Sequence, residues 1–164
     1  MNTTATIYPL NEAAARSRAT QLPEAGDLCT VFQPIFDVLT GTVIAFEALT
    51  RLNGQPEKGF PRYLLDAARA GGHLMKFNEM LSVMAVAEFS AAKLPGLLFV
   101  NVSPGAIPMA STSSGIFSED YPAWRIPADR IVIELTEDEP LLDYKAMQQS
   151  LIYFRDRGDR KSVV

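Results

Sequence analysis

The stretch LCTVFQPIFDVLTGTVIAFEALTR, residues 28–51, decides the fold because it contains two strand-like runs joined by a short link. Leu28–Phe36 and Thr42–Arg51 are rich in the β-branched and aromatic residues that favour strands. The link between them is DVLTG, with Gly41 as its turn residue. A parallel pair would need a crossover of roughly a dozen residues or more. The two runs are therefore predicted to form an antiparallel hairpin.

Beyond the hairpin, helical and strand-like segments alternate. Two helical patterns come first: Pro61–Ala70, which begins with proline and is followed by a Gly-Gly pair, and Leu74–Ala92. The short apolar runs Leu97–Val102 and Arg130–Leu135 are of the kind that parallel sheets bury on both faces. A further helical pattern, Leu141–Arg157, precedes a last strand at the C-terminal end. This order predicts an α/β fold whose strands are parallel after the hairpin.

Composition excludes several classes of function. Hydrophobic residues make up 48% of the 164-residue chain, and the net charge of −4 gives no basic field for a nucleic acid polymer or an anionic membrane. A single cysteine and a single histidine exclude zinc sites that need several such ligands. No apolar run reaches the roughly 20 residues that span a membrane. We expect a cytoplasmic protein with a polar leader over residues 1–27 and one domain over residues 28–164.

Three polar residues lie near the carboxyl ends of predicted strands, namely Glu47, Asn101 and Glu134. In parallel β/α folds these ends carry the chemistry. Oxygen donors that converge there suit a hard cation such as Mg²⁺, Mn²⁺ or Ca²⁺. The alternatives are a structural salt bridge for each glutamate and a loop-capping role for the asparagine, since a buried carboxylate needs a partner. On these residues alone, both interpretations stay open.

The same residues belong to four motifs that together resemble the EAL domain family, the bacterial cyclic di-GMP phosphodiesterases. These motifs are FQPIFD at Phe32–Asp37, EALTR at Glu47–Arg51, NVSP at Asn101–Pro104 and ELTE at Glu134–Glu137, in the order of the family. The resemblance extends over nearly everything after the leader. It implies the N-terminal part of an EAL-type modified TIM barrel with an antiparallel first strand pair.

The resemblance also implies a metal site. Glu47, Asn101 and Glu134 match the family's ligands of Mg²⁺ or Mn²⁺, and Glu47 is thereby a catalytic residue. Glu137 matches a glutamate that anchors a neighbouring loop. A carboxylate placed at the N-terminus of the following helix is an equally good interpretation of Glu137.

A substrate site follows from the same resemblance. Arg51 matches the arginine that holds a phosphate of cyclic di-GMP, a role that suits the planar guanidinium group. Gln33 and Leu49 match positions that line the substrate groove. The implied reaction is metal-dependent hydrolysis of cyclic di-GMP to linear pGpG, in which metal ions generate the hydroxide and stabilise the leaving oxygen.

The chain departs from the family pattern in its length. Residues 28–164 are fewer than the about 250 of a TIM barrel, and the chain ends about where the family's Asp-Asp-Phe-Gly motif would begin. Two carboxylate ligands then remain for two dications, so we expect at most one weak metal site and no two-metal hydrolysis by this chain alone. An open strand edge predicts pairing with a second copy or another protein, or poor order. The alternative function is a degenerate, non-catalytic EAL module that regulates by binding a protein partner.

Overall fold

The computed structural model describes residues 22–55, 58–60, 62–103, 126–135 and 160–162. Short 3-10 helices cover Ala25–Asp27 and Ala128–Arg130. The strands and helices, in chain order, are β1 (Leu28–Phe36), β2 (Val43–Leu52), α1 (Tyr63–Ala70), α2 (Leu74–Ala91), β3 (Leu97–Val102), β4 (Ile131–Leu135) and β5 (Arg160–Ser162). The predicted helix Leu141–Arg157 lies outside the described residues. Within them, none of the helices combines the length and the apolar character that a membrane span requires.

The strands form one mixed sheet in the order β1-β2-β3-β4-β5. β1 and β2 are antiparallel, whereas β2, β3, β4 and β5 are mutually parallel. The hairpin turn is fixed by Asp37, whose Oδ1 accepts the backbone N–H groups of Leu39 and Thr40 at 2.8 and 2.9 Å. Gly41 adopts a φ of 68°, which glycine reaches without steric strain. The predicted antiparallel hairpin is therefore confirmed.

The two helices pack on one face of the sheet and form the core with it. Phe89 of α2 is fully buried, and its ring meets those of Phe32 and Phe46 edge to face, at centroid distances of 5.7 and 6.1 Å. Side chains alternate between the faces of a strand. The residues that the strands bury against the helices are Leu28, Ala48, Leu98, Val100, Val102, Ile131, Ile133 and Leu135.

The prediction that β3 is buried on both faces is wrong. Leu98, Val100 and Val102 are buried, but the alternate residues Leu97, Phe99 and Asn101 are only half-buried. The helices cover one face of β3, and the described residues leave the opposite face partly open to solvent. That second face carries Asn101, so it is the face where the candidate site lies.

Gly96 permits a close approach between the turn before β3 and the start of β2. Its φ is 77°, and a Cβ built on it would lie 2.3 Å from the carbonyl oxygen of Ile44. Gly54 has the same φ of 77°, but a Cβ there would meet no atom within 4 Å. A substitution at Gly54 therefore introduces backbone strain alone, whereas a substitution at Gly96 introduces the same strain together with a steric overlap.

We expect Gly54→Ala to lower the free energy of unfolding by the about 1–2 kcal/mol that a left-handed conformation imposes on alanine. Gly96→Ala should lower it by about 1 kcal/mol or more beyond that value, because the new methyl group must displace backbone. Urea denaturation of both variants measures the difference. Equal losses would show that the approach of Gly96 to Ile44 is not a tight contact.

Candidate functional site

Strand register places the three predicted metal ligands on one face of the sheet. Glu47 of β2 is paired with Phe99 of β3, and Asn101 of β3 is paired with Glu134 of β4. Paired residues on neighbouring strands point to the same face, and Phe99 and Asn101 are two residues apart on one strand. All three polar side chains therefore lie on the face opposite the helices.

A direct hydrogen bond joins the first two of these side chains. The Nδ2 group of Asn101 donates to Oε1 of Glu47 at 2.8 Å, across 54 positions of sequence. Both residues are half-buried, so the bond lies partly away from solvent. The Nη1 group of Arg51 donates to the carbonyl oxygen of Thr50 at 2.8 Å. The partner that the described residues give to Glu47 is thus the Asn101 amide.

Glu134 completes a pair of carboxylates with Glu47. Burial raises the pKa of Glu134 above its ordinary value of 4.5, and the charge of Glu47 raises it further. A raised pKa means that the ionised form of Glu134 is destabilised in this position. A cation beside the two carboxylates would remove this repulsion, so the electrostatics of the pair favour the binding of a positive ion.

The donor set fits a hard divalent cation with an incomplete protein shell. Glu47 and Glu134 offer carboxylate oxygens and Asn101 offers an amide oxygen, all of the type that Mg²⁺ and Mn²⁺ prefer. In the described part of the chain, no group of three or more His, Cys, Asp and Glu side chains is placed to hold a metal. The three oxygen donors would therefore need water or other ligands to complete the coordination shell.

The raised pKa of Glu134 gives a prediction for the stability of the metal-free protein. Because folding raises this pKa, the stabilising contribution of the group is fully present below the ordinary value of 4.5 and is lost as the pH rises through the folded-state value. Glu134→Gln, which cannot ionise, should therefore be more stable than the wild type at neutral pH. The advantage should disappear below a pH of about 4.5.

Thermal unfolding of both proteins across this pH range, in the presence of a chelator, measures the effect. Solvent screening keeps the difference small, since Glu134 is only half-buried. Parallel profiles for the two proteins at all pH values would contradict the electrostatic account of Glu134.

A cavity of about 190 Å³ lies where β2 and β3 stop pairing. The β2–β3 register ends at Ala48 and Val100, and the residues beyond these points line the cavity. Three of the residues that line it belong to the predicted site, namely Leu49, Arg51 and Asn101. The structure therefore brings the predicted phosphate-binding arginine and one predicted metal ligand to a common cavity.

Two other predicted site residues are not placed there. Gln33 of β1 is paired with Glu47 across the hairpin, which puts both on the same face, but Gln33 is exposed and is not among the described residues that line the cavity. Glu137 lies outside the described residues. Their roles in the groove and in loop anchoring stay predictions.

Asn78 and Ser103 also line this cavity, and their contribution was not predicted. Asn78 is buried on α2, and its Oδ1 accepts the backbone N–H of Ser103 at 3.1 Å. The sequence offered one signal, because a polar residue four positions after Leu74 stands within the apolar stripe of the helix. A polar side chain in that stripe is expected to have a hydrogen-bond partner.

The sequence profile of the EAL domain matches residues 14–161, which is most of the chain. The chain belongs to the EAL domain family. No curated protein sequence matches it. The predicted fold class is confirmed by solved structures that share this architecture.

Three of these structures illustrate the similarity. A standalone versatile EAL protein from Vibrio cholerae O395 in its c-di-GMP-bound form has a TM-score of 0.68 and 22% identity, with 84% of this chain and 56% of that chain covered. BlrP1 from Klebsiella pneumoniae, in a calcium and cyclic di-GMP complex, gives 0.69 and 22%, with 98% and 46% covered. The Bacillus subtilis YkuI protein, with an EAL domain and in complex with c-di-GMP and calcium, gives 0.68 and 23%, with 94% and 38% covered. This EAL domain thus spans between 38% and 56% of the length of these three proteins.

Proposed function

We propose that this EAL domain supplies the N-terminal part of a divalent-metal-dependent phosphodiesterase site for cyclic di-GMP. The observation that carries the proposal is the convergence of Glu47, Asn101 and Glu134 on one sheet face, with Asn101 bonded to Glu47 at 2.8 Å. The similar structures with bound c-di-GMP support the choice of ligand. The all-oxygen donor set suits a hard divalent cation, and Mg²⁺ or Mn²⁺ is the proposed metal, supported by the manganese complex of the similar BlrP1 protein.

Each residue has a proposed task in such a site. Glu47 and Glu134 would hold the cation through their carboxylate oxygens, and Asn101 would contribute its amide oxygen. A divalent ion held there would supply Lewis-acid stabilisation of charge on a phosphodiester. Arg51, in the adjoining cavity, binds a non-bridging phosphate oxygen and orients the dinucleotide toward the metal site.

The phosphate role of Arg51 can be tested with a conservative change. Arg51→Lys keeps the positive charge but removes the planar pair of donors, so we expect the Kd for cyclic di-GMP to rise about tenfold, the effect of losing roughly 1.4 kcal/mol. The Kd for Mn²⁺ should stay unchanged. Isothermal titration with cyclic di-GMP in the presence of Mn²⁺ measures the first constant, and titration with Mn²⁺ alone measures the second.

Arg69→Lys provides the matched control. Arg69 lies on α1, where its Nη1 is 3.1 Å from Oδ1 of Asp66, and it does not line the cavity. This variant should bind cyclic di-GMP as the wild type does. Equal affinity of the wild type and Arg51→Lys would remove Arg51 from the substrate site.

The number of carboxylates favours a second candidate function. The described residues bring two carboxylates to the site, which suits one cation better than the two-ion hydrolysis that the resemblance implies. In this second function the module does not hydrolyse cyclic di-GMP and regulates by binding a protein partner. Chromatographic detection of linear pGpG separates the candidates: Mn²⁺-dependent product supports the phosphodiesterase, and absence of product from the folded, Mn²⁺-loaded protein supports the non-catalytic module.

A further inference from the structure

The end of β3 that carries Asn101 is held by the sheet on one side only. β3 pairs with β4 as far as Val102 and Leu135, but it pairs with β2 only as far as Val100 and Ala48. Beyond Val100, the side of β3 that faces β2 therefore has no backbone ladder. The cavity lies at this place and is lined by Asn101, whose Nδ2 group bonds to Glu47 of β2.

Asn78 replaces part of the missing ladder from the helix layer. Asn78 is 5% exposed, its Oδ1 accepts the backbone N–H of Ser103 at 3.1 Å, and its Nδ2 donates to the carbonyl oxygen of Leu74 at 3.2 Å. Ser103 directly follows β3 and is itself buried. A single side chain thus connects α2 to the backbone two residues after Asn101.

The backbone of Asn78 has a hydrogen bond of its own within α2. The carbonyl oxygen of Asn78 accepts the hydroxyl of Ser82 at 2.9 Å, and Ser82 is fully buried. Both Asn78 side-chain bonds run to backbone groups of buried residues, Leu74 and Ser103. Buried donors without partners are strongly disfavoured, so the Ser103 N–H restricts where the end of β3 can lie.

We propose that Asn78 is a positioning residue, which fixes the end of β3 through Ser103 and thereby holds Asn101 against Glu47. The positioning itself does not depend on the proposed function. Only its consequence, that Asn78 supports cation binding, rests on that function. Removing a residue that orients a metal ligand without touching the metal usually weakens metal binding by about 10- to 100-fold. Asn78 should have an effect of this size although it is not a ligand.

Two measurements on the metal-free full chain test the arrangement without relying on metal binding. In the wild type, the Ser103 amide should exchange hydrogen much more slowly than an exposed loop amide such as that of Gly59. In Asn78→Leu, the side-chain amide resonances of Asn101 should move toward those of a solvent-exposed asparagine. Fast exchange of Ser103 in the wild type would overturn the proposal even if the variant failed to fold.

Mn²⁺ titration of the same proteins tests the consequence for the site. We expect Asn78→Leu to raise the Kd for Mn²⁺ by roughly 10- to 100-fold, and Asn78→Asp, which keeps an oxygen acceptor for Ser103, to restore most of the affinity. Ser82→Ala is the control, since it removes a buried hydrogen bond one turn along α2 without touching Ser103. An equal effect of Ser82→Ala would mean that general loosening of α2 is the cause and would overturn the proposal.

The two sets of results separate this proposal from the proposed function. If the wild type bound no Mn²⁺ while Ser103 was protected and Asn101 responded to Asn78→Leu, the metal site would be wrong and the positioning by Asn78 would stand. If Mn²⁺ bound equally to the wild type and to folded Asn78→Leu, the metal site would stand and the positioning role would be wrong.

Discussion

Glu47→Gln is expected to abolish measurable Mn²⁺ binding while leaving the fold intact. Glutamine has nearly the shape of glutamate, and its Oε1 can still accept the Asn101 Nδ2 group that Glu47 accepts at 2.8 Å. The change therefore removes one negative charge and little else. Because a cation here depends on two carboxylates, we expect the loss of affinity to exceed about 100-fold, the upper value for removing a residue that only orients a metal ligand.

Glu88→Gln is the matched control for this experiment. Glu88 is also half-buried, and its Oε2 also accepts one N–H group, that of Thr30 at 3.0 Å, but it lies on α2 at the other face of the sheet. Titration followed by the electron paramagnetic resonance of free Mn²⁺ measures both variants. Glu88→Gln should bind as the wild type does. Wild-type affinity in Glu47→Gln would place the metal elsewhere.

Phe89→Ala is expected to lower the free energy of unfolding by about 3–5 kcal/mol, the range for a fully buried phenylalanine. The ring contacts Phe32 and Phe46 of the hairpin edge to face, and the Arg130 guanidinium lies 5.4 Å from its centroid. Arg130 also donates to the carbonyl oxygens of Leu94 and Gly96 at 2.8 and 2.7 Å. The Phe89 ring thus packs against the hairpin and also contacts Arg130, the residue directly before β4.

Urea denaturation measures this loss, with Phe36→Ala as the control. Phe36 lies at the far end of β1 and is 53% exposed, so its removal should change stability by less than about 1 kcal/mol. Single domains have stabilities of about 5–15 kcal/mol, so Phe89→Ala removes a large part of the total. A loss below about 1 kcal/mol for Phe89→Ala would contradict the core described for α2.

Local sequence patterns predicted the elements of the fold well because their causes are local. A short link with glycine requires a hairpin, and β1 and β3 begin and end where the apolar runs predicted. The common face of Glu47, Asn101 and Glu134 also followed from their places at strand ends. Each of these inferences needs only the periodicity of a strand and the direction of its neighbours.

The role of Asn78 could not be predicted in the same way because it depends on register between distant segments. In α2 the large apolar residues Leu81 and Met84 are half-buried, whereas the small polar Ser82 is buried. β2 and β3 stop pairing at Ala48 and Val100, and the N–H of Ser103 beyond this point is satisfied by Asn78. The local sequence pattern of neither strand determines where the pairing stops.

The partial exposure of β3 has a similar explanation. An apolar strand predicts what a complete parallel sheet would bury, but the described helices lie on one face only. Phe99 therefore stays half-buried although its sequence context is that of a fully buried strand. The burial of a strand is a property of the layers around it, which its own residues do not determine.

The central claim is that the site is a metal-dependent site for cyclic di-GMP, and titration of the full chain with this dinucleotide tests it most directly. The titration is carried out by calorimetry, once with Mn²⁺ and once with a chelator. The account predicts a saturable binding isotherm with Mn²⁺ that disappears, or weakens at least about tenfold, with the chelator. Equal binding in both conditions, or no binding with Mn²⁺ present, would contradict it.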